Sequence, residues 1–194
     1  MDQAVMTGGF ADPPIQSAWG FRAAMTAMAR PGDIMAVTGA QAPAPVSVAA
    51  SVLMLVLCDP DTPVWLAPSH DSDALRRWIA FHTGARVVAV RGDAAFALGA
   101  WDSLLPLADY RNGTPDYPDR SATLIVELPV LRAEGAMIQG PGIKNSARLS
   151  LPEVAPLRTN HALFPLGLDF FFTSGPALAA LPRSTVVSDP AEGV

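Results

Sequence analysis

Residues 164–185 of the chain read FPLGLDFFFTSGPALAALPRST, and this stretch decides how the fold is interpreted. Pro165 and Gly167 indicate a turn before the run Phe170–Thr173, whose aromatic residues are typical of a buried strand. Gly175-Pro176 predicts a second turn, after which an extended segment carries Arg183 as a lone arginine. The stretch therefore predicts a hairpin that closes the fold.

The sequence before this hairpin predicts several further strands. Ala122–Leu128 has the composition of a buried strand. Val130–Ala133 and Ala136–Gln139 are expected to pair as a hairpin about Glu134-Gly135, and Gly140-Pro141-Gly142 ends that element. Shorter strands are expected in the first half of the chain, at Ile34–Val37, Thr62–Leu66 and Arg86–Val90.

The first predicted helix begins at Asp12-Pro13, which suits a cap and a first turn. It ends near Ala29, because Pro31 disfavours helical geometry at the residue before it. Arg22 is expected on or beside the apolar stripe of this helix, since it lies three residues from two members of the stripe. The stripe is expected to face the core and consists of Ile15, Ala18, Trp19, Met25 and Met28.

Two further helices complete the first half of the chain. Ser47–Cys58 is apolar on nearly every side and is therefore expected to be central. Asp71 is expected to cap the next helix, and Gly84 ends it. Helices in the first half and strands in the second predict a mixed-sheet α/β domain rather than regular βαβ repeats. We expect one domain over residues 1–194, with a short frayed tail at 188–194.

Composition excludes several classes of function. Charged residues make up only 16% of the chain, below the usual quarter or so, and 50% of the residues are apolar. Burial of part of the surface by a partner is slightly favoured over a simple alanine and proline bias. The net charge of −5 argues against nucleic acid, and a single lysine, Lys144, rules out a polybasic membrane segment. One cysteine, Cys58, and no export signal predict a cytoplasmic protein.

No residue pattern matches a catalytic or cofactor motif. Gly135–Gly140 has the spacing of a phosphate loop, but Pro141 stands where the motif needs lysine. Lys144 is the one candidate for a Schiff base with pyridoxal phosphate, and it is expected at the surface after a glycine-rich turn. Cys58 is expected to be a small buried hydrophobe, and the histidines lack metal-binding spacing. We therefore predict no catalytic group, no cofactor and no metal.

Three residues remain as candidates for binding an anion or a partner: Arg22, His82 and Arg183. The two arginines are charges within apolar patterns, so either guanidinium could hold a carboxylate or phosphate with paired donors. A salt bridge within the chain or between subunits, for example to Asp59 or Asp169, is the favoured alternative. His82, in the last turn of its helix, is more simply explained as a cap or core contact than as a catalytic base.

Several blocks, spread over nearly the whole chain, together resemble one protein family. The blocks are Phe21–Gly32, Ala50–Leu66, Phe81-His82-Thr83, Gly140-Pro141-Gly142-Ile143, and the C-terminal FPLGLD and LPRST segments. Each is unspecific alone, but in this order they are similar to the H subunit of bacterial carbon–phosphorus lyase, the PhnH family. Ser184 stands where the family pattern is expected to have threonine.

The resemblance implies a fold like the large domain of pyridoxal-phosphate-dependent transferases, without a working cofactor site. It also implies a required but non-catalytic, homodimeric subunit of the lyase core complex, assembled with the I subunit and with G and J. That complex is expected to transfer a phosphonate to ATP and displace adenine, giving α-D-ribose 1-phosphonate 5-triphosphate. The displacement chemistry is expected on the I subunit.

Two other interpretations stay open. The chain could be an independent phosphonate- or nucleotide-binding module or enzyme, built around Arg22, His82 or Arg183. It could also be a degenerate pyridoxal-phosphate enzyme, in which case a cofactor absorbance band would depend on Lys144.

Overall fold

A six-stranded mixed sheet lies at the centre of the protein, whose computed structural model describes residues 6–189. In spatial order its strands are β1 (Met35–Ala36), β8 (Ala177–Leu181), β7 (Asp169–Ser174), β4 (Thr123–Glu127), β3 (Phe96–Ala100) and β2 (Val64–Leu66). The four strands β2, β3, β4 and β7 are parallel. β8 pairs antiparallel with β7, and β1 pairs antiparallel with β8. The predicted C-terminal hairpin is confirmed as β7 and β8.

Helices and a second sheet cover the two faces of this central sheet. The helices are α1 (Pro13–Ala29), α2 (Val48–Leu57), α3 (Asp73–His82), α4 (Trp101–Leu104) and α5 (Val154–His161). The first three pack on one face, where Phe171 joins their buried side chains. The other two, with the second sheet, pack on the opposite face around Phe170 and Phe172. The alternation of the β7 phenylalanines between the two faces follows from the two-residue period of a strand.

The second sheet has three antiparallel strands, in the order β6 (Ala147–Leu149), β5 (Ala136–Gln139) and β9 (Val186–Ser188). The mixed α/β class predicted from the sequence is confirmed, but the separate small sheet was not foreseen. The predicted hairpin of Val130–Ala133 with Ala136–Gln139 is wrong, because β5 takes both of its partners from later in the chain. Ser188 lies in β9, so it is not part of a frayed tail, and residues 190–194 of the predicted tail lie outside the described range.

The three long helices occur where the sequence predicts them. Ser47 caps α2 through its side chain, which accepts from the backbone N–H of Ala50 at 3.1 Å. The cap of α3 is Ser72, whose hydroxyl accepts from Leu75 N–H, so the assignment of this role to Asp71 is wrong. Asp71 is drawn away from the helix end because its carboxylate forms a two-point ion pair with Arg76.

The strand expected at Arg86–Val90 is reduced to one bridging residue. Val87 pairs with Val64, and the flanking backbone groups of Arg86 and Val88 hydrogen-bond Val64 on both sides. The segment therefore touches the outer edge of the three-residue β2 without extending along it. The neighbour of β2 on its inner side is β3, which the sequence analysis did not predict.

Helix α1 is rotated relative to the sequence prediction. Its buried residues are the small ones, Gly20, Ala23, Ala24 and Ala27. Trp19 is 71% exposed, Met25 57% and Ile15 50%, and Ala18 is exposed as well, so the assignment of these four stripe residues to the core is wrong. The fifth, Met28, is partly buried and packs against the core as predicted. The physical reason is space, because a Cβ at Gly20 would lie 2.7 Å from the Val52 side chain of α2. Only small residues fit where the two helices meet.

Candidate functional site

The guanidinium of Arg183 is engaged inside the chain. Its Nε lies 3.1 Å from Oδ1 of Asp169 and a terminal nitrogen lies 2.5 Å from Oδ2, a paired-donor geometry. The same terminal nitrogen donates to Ser121 Oγ, and the other donates to the backbone oxygen of Pro118 at 2.6 Å. The backbone N–H of Arg183 donates to Asp169 Oδ1 at 2.8 Å. All three guanidinium nitrogens therefore serve internal contacts.

This cluster, which we call the Arg183 network, consists of Arg183, Asp169, Ser121 and Pro118. It joins the two ends of the C-terminal stretch, since Asp169 closes FPLGLD and Arg183 lies in LPRST. The side chains of Arg183 and Asp169 are only 14% and 22% exposed. The favoured salt bridge to Asp169 is thus present, whereas the other proposed acid, Asp59, accepts from Thr62 within its own turn.

Asn160 of α5 fixes the turn that precedes β7. Its side-chain oxygen accepts from Leu168 N–H at 2.8 Å and its nitrogen donates to the Leu168 oxygen at 2.9 Å. The next residue along α5, His161, places Nδ1 2.9 Å from the backbone oxygen of Arg183. Helix α5 thereby holds the backbone on both sides of the Arg183 network.

His82 is the last residue of α3 and packs against the N-terminal segment. Its Nε2 lies 3.3 Å from the backbone oxygen of Thr7, and its ring centroid lies 4.8 Å from that of Trp78. A Cβ at Gly9 would approach the His82 ring to 2.7 Å, so this contact needs a glycine. These contacts match the structural interpretation of His82, and a ligand-binding role for it stays a prediction.

Arg22 differs from the other two candidates because its side chain is exposed on α1. Among residues 6–189, no acceptor or carboxylate pairs with its guanidinium. It lines a cleft of about 770 Å³ together with Phe21, Met25 and Arg30. Of the three candidate residues, Arg22 therefore has the cationic group that remains available for an external anion.

The structure does not bring the three candidates together. The cleft beside His82, of about 520 Å³, is lined by the N-terminal segment and the start of α1. It shares no lining residue with the cleft beside Arg22, and Arg183 lines neither of them. The three residues therefore do not form one binding site.

Glu127 is a partly buried carboxyl group that is not among the candidates from the sequence. At the end of β4 it accepts from the backbone N–H of Ser47 at 2.6 Å, at the N-terminal end of α2. Its other oxygen accepts from Thr173 Oγ1 at 3.0 Å. Burial raises the pKa of Glu127 above its ordinary value, although the donors from Ser47 and Thr173 oppose the shift. The contacts give this carboxyl a role in joining α2 to the sheet.

Two other titratable groups are buried without forming a catalytic pair. Cys58 is buried as predicted, and burial raises the pKa of its thiol to about 12. His70 places Nδ1 2.9 Å from Ser69 Oγ, and burial lowers the pKa of its ring. Its Nε2 has no hydrogen-bond partner in the described part of the chain.

Lys144 is exposed on the loop that follows Gly142, as predicted. Within residues 6–189, no three His, Cys, Asp or Glu side chains are grouped so that they could hold a metal ion. None of the helices described is both long and apolar enough to cross a membrane.

The exposed apolar face of α1 is the feature that sequence reasoning missed most clearly. A signal for it was present, because Gly20, Ala23, Ala24 and Ala27 repeat at the spacing of one helix face. A stripe of small residues opposite a stripe of large ones indicates two packing faces. Only the large stripe was considered, and it was assigned to the core.

Comparison with known proteins gives a consistent assignment. A family model described as bacterial phosphonate metabolism protein (PhnH) matches residues 8–188. The chain belongs to the PhnH family. It is 41% identical over 189 residues to the α-D-ribose 1-methylphosphonate 5-triphosphate synthase subunit PhnH of Rhizobium meliloti (strain 1021), covering 93% of this chain and 94% of the relative. It is 32% identical to the putative C-P lyase subunit protein HtxG of Stutzerimonas stutzeri, covering 93% and 95%.

The sequence blocks that pointed to the PhnH family meet each other in the fold. A Cβ at Gly142 would lie 2.0 Å from the backbone oxygen of Ala29, so the Gly140-Pro141-Gly142 loop lies directly against the end of α1. A Cβ at Gly32 would lie 2.6 Å from the side chain of Ala147 in β6. Two of the blocks that match the PhnH family, at the end of α1 and at the Gly140-Pro141-Gly142 loop, are therefore in close contact where α1 meets the second sheet.

Proposed function

We propose that this chain is a required but non-catalytic subunit of a bacterial carbon–phosphorus lyase complex. The observation that carries the proposal is the 41% identity, over 94% of its length, to a protein named as a subunit of α-D-ribose 1-methylphosphonate 5-triphosphate synthase. The second relative, named as a putative C-P lyase subunit, supports the same role. The complex would transfer a phosphonate to ATP with displacement of adenine, in the use of organic phosphonates.

The non-catalytic part of the proposal is supported by how the reactive groups are used. Arg183 is held by Asp169, Ser121 and Pro118, and the Cys58 thiol has its pKa raised by burial. The carboxyl of Glu127 is occupied by the start of α2. A general base or a nucleophile needs a reactive group directed into a substrate-sized cleft. The displacement step is accordingly assigned to another subunit.

The proposed assembly follows from the same family membership. The partners would be the I, G and J subunits of the lyase core, in the cytoplasm, and the chain alone would form a homodimer. The chain would form one domain, similar to the large domain of pyridoxal-phosphate-dependent transferases but without the cofactor. The mixed, largely parallel sheet between two covering layers is compatible with that likeness.

An independent ligand-binding role is the second candidate, and the exposed guanidinium of Arg22 favours it. The cleft beside Arg22, of about 770 Å³, is large enough for a small phosphonate or a nucleotide. In that case the chain purified alone would bind ATP or methylphosphonate, and Arg22→Ala would abolish the binding. Isothermal titration of both ligands against the isolated chain separates this role from that of a subunit.

The test of the proposed function is reconstitution of the complex from co-expressed core subunits, with and without this chain. With the accessory ATPase-like protein, methylphosphonate and ATP, the complete set is expected to release adenine, measured by chromatography. The set without this chain is expected to release none, and adding the purified chain should restore release. If adenine release is the same without the chain, it is not a required subunit, and the proposal fails.

A further inference from the structure

The outward side of α1 is an apolar surface that contains one cation. We call the surface formed by Ile15, Trp19, Arg22 and Met25 the α1 face. These residues recur at positions i, i+4, i+7 and i+10, which places them on one side of a helix. The three apolar members are 50%, 71% and 57% exposed in sequence order, so most of a tryptophan, an isoleucine and a methionine lies in solvent. Side chains arranged in this way are typical of a helix that docks on a partner.

The exposure of the α1 face is fixed by the opposite side of the helix. Gly20 and Ala24 lie against the rest of the fold, and a Cβ at Gly20 would already approach Val52 to 2.7 Å. Where α1 meets α2 there is no room for a side chain as large as that of Trp19, because even a Cβ at position 20 would approach Val52 too closely. The large residues face outward as a consequence of how the chain packs.

Grooves on both sides of α1 extend this surface. One, of about 540 Å³, lies between Phe21, Met25 and Met28 and the first residues of β3, β4 and β7. The other, of about 770 Å³, contains Arg22 and Arg30. The two share Phe21, Met25 and Ala29, so they form one continuous surface around the second half of the helix. A partner could place side chains into both grooves while covering the α1 face.

The charge of this surface indicates the chemistry of its partner. The helix has no acidic residue, and neither Arg22 nor Arg30 forms an ion pair with any residue in the range 6–189. The one carboxylate in the grooves, Asp169, is already held by Arg183. The residues of α1 and the two grooves therefore leave two arginines unpaired, with Asp12 and Asp33 beyond the two ends of the helix, on a chain whose net charge is −5. An arginine that becomes buried at an apolar interface needs a carboxylate from the other side.

We propose that the α1 face docks on a different chain, an acidic and apolar surface of another subunit of the same assembly. A second copy is disfavoured by symmetry, because a two-fold contact pairs the same surface with itself. Arg22 lies next to the middle of α1, so two α1 helices that crossed there would place the two Arg22 side chains close together. No residue of either α1 would supply a carboxylate to this pair of arginines. The partner instead presents carboxylates opposite Arg22 and Arg30, with apolar side chains over Trp19 and Met25.

This inference rests on the proposed function, and its test separates the two. The probe is the assembly of the I, G and J subunits, purified without this chain, titrated with the labelled chain. Arg22→Glu is expected to weaken the association by on the order of a hundredfold or more, and Trp19→Ala by on the order of tenfold. The matched control is Arg77→Glu on α3, an exposed arginine without an ion pair to a described residue, which should bind like the wild type. Circular dichroism checks that each variant is folded.

Each alternative has its own result. If the wild-type chain does not bind the other subunits at all, the proposed function fails. If the wild type binds and both α1 variants bind equally well, the inference about the α1 face is wrong. If Trp19→Ala dissociates the isolated homodimer but leaves binding to the other subunits unchanged, the occupant is a second copy. If Arg22→Glu destabilises the full chain but not a chain that starts at Met6, residues 1–5 are the occupant. Either of the last two results overturns the inference.

Discussion

Replacement of Arg183 by methionine tests whether the Arg183 network stabilises the fold. Methionine keeps an apolar stem of similar length but removes the guanidinium from Asp169, Ser121 and Pro118. The ion pair is 14% and 22% exposed, which places it nearer to a buried pair than to a surface pair. Breaking a buried pair costs about 3–5 kcal/mol, and a surface pair contributes about 0–1 kcal/mol. Asp169 keeps its bond from the backbone N–H of residue 183, so we expect a loss of about 2–3 kcal/mol.

The assay is urea denaturation of wild type, Arg183→Met, Asp169→Asn and the double variant. In a thermal unfolding experiment on a chain of this size, the same loss of free energy corresponds to a fall in Tm of about 5–10 °C. The double variant is expected to lose less free energy of unfolding than the two single variants together. The reason is that the second substitution removes a charge that the first has already left unpaired. Arg77→Met on α3 serves as the control and should change stability by less than about 0.5 kcal/mol. Unchanged stability in Arg183→Met, together with lost binding of ATP or methylphosphonate, would refute this reasoning and make Arg183 a ligand residue.

Three further predictions concern buried groups and tight turns. Burial makes the pKa of the Glu127 carboxyl higher in the folded state than in the unfolded state, so the folded state holds this proton more tightly. The contribution of Glu127 to the free energy of unfolding is therefore fully present below the unfolded-state pKa and is lost as pH rises through the folded-state pKa. Glu127→Gln should therefore flatten the pH dependence of unfolding, and a profile identical to that of the wild type contradicts this. Cys58, with its thiol pKa raised to about 12, should react with a thiol reagent at neutral pH only after denaturant is added. Gly175→Ala and Gly142→Ala both place alanine at positive φ, 53° and 83°, and each should lose about 1–2 kcal/mol for that conformation. Only Gly142→Ala also meets a backbone oxygen, at 2.0 Å, so its loss by denaturation should exceed that of Gly175→Ala.

The parts of the fold that were predictable have strong local signals. Helix α2 combines a serine cap with a run of apolar residues interrupted only by Ser51, and β7 combines three phenylalanines with flanking turns. Strand β3 was missed because its sequence, FALGA, contains no β-branched residue, and its place between β2 and β4 fixes its conformation. Helix α5 was missed because it contains Pro156 and has no side-chain cap at Glu153. In both cases tertiary contacts determine a structure that local propensity does not indicate.

The candidate site was predictable in its residues but not in its arrangement. Arg183 and Asp169 could be paired from the sequence because both are isolated charges near the same hairpin. The availability of Arg22 could not be predicted, since it depends on which side of α1 faces the sheet. That orientation follows from the clash that any side chain at Gly20 would make with Val52. Such a contact between residues far apart in sequence leaves no pattern in either segment alone.

Asp169 connects the internal network with the surface proposed for docking. It binds Arg183 on one side, and on the other it lines the groove beside Phe21 and Met25 of α1. The carboxylate therefore could not move to meet a partner without releasing the guanidinium and the backbone N–H of Arg183. A fixed groove loses less conformational entropy on association than a mobile one, and this favours binding. In the proposed docking, the Arg183 network would contribute to assembly by keeping the groove in shape, although no atom of Arg183 needs to contact the partner.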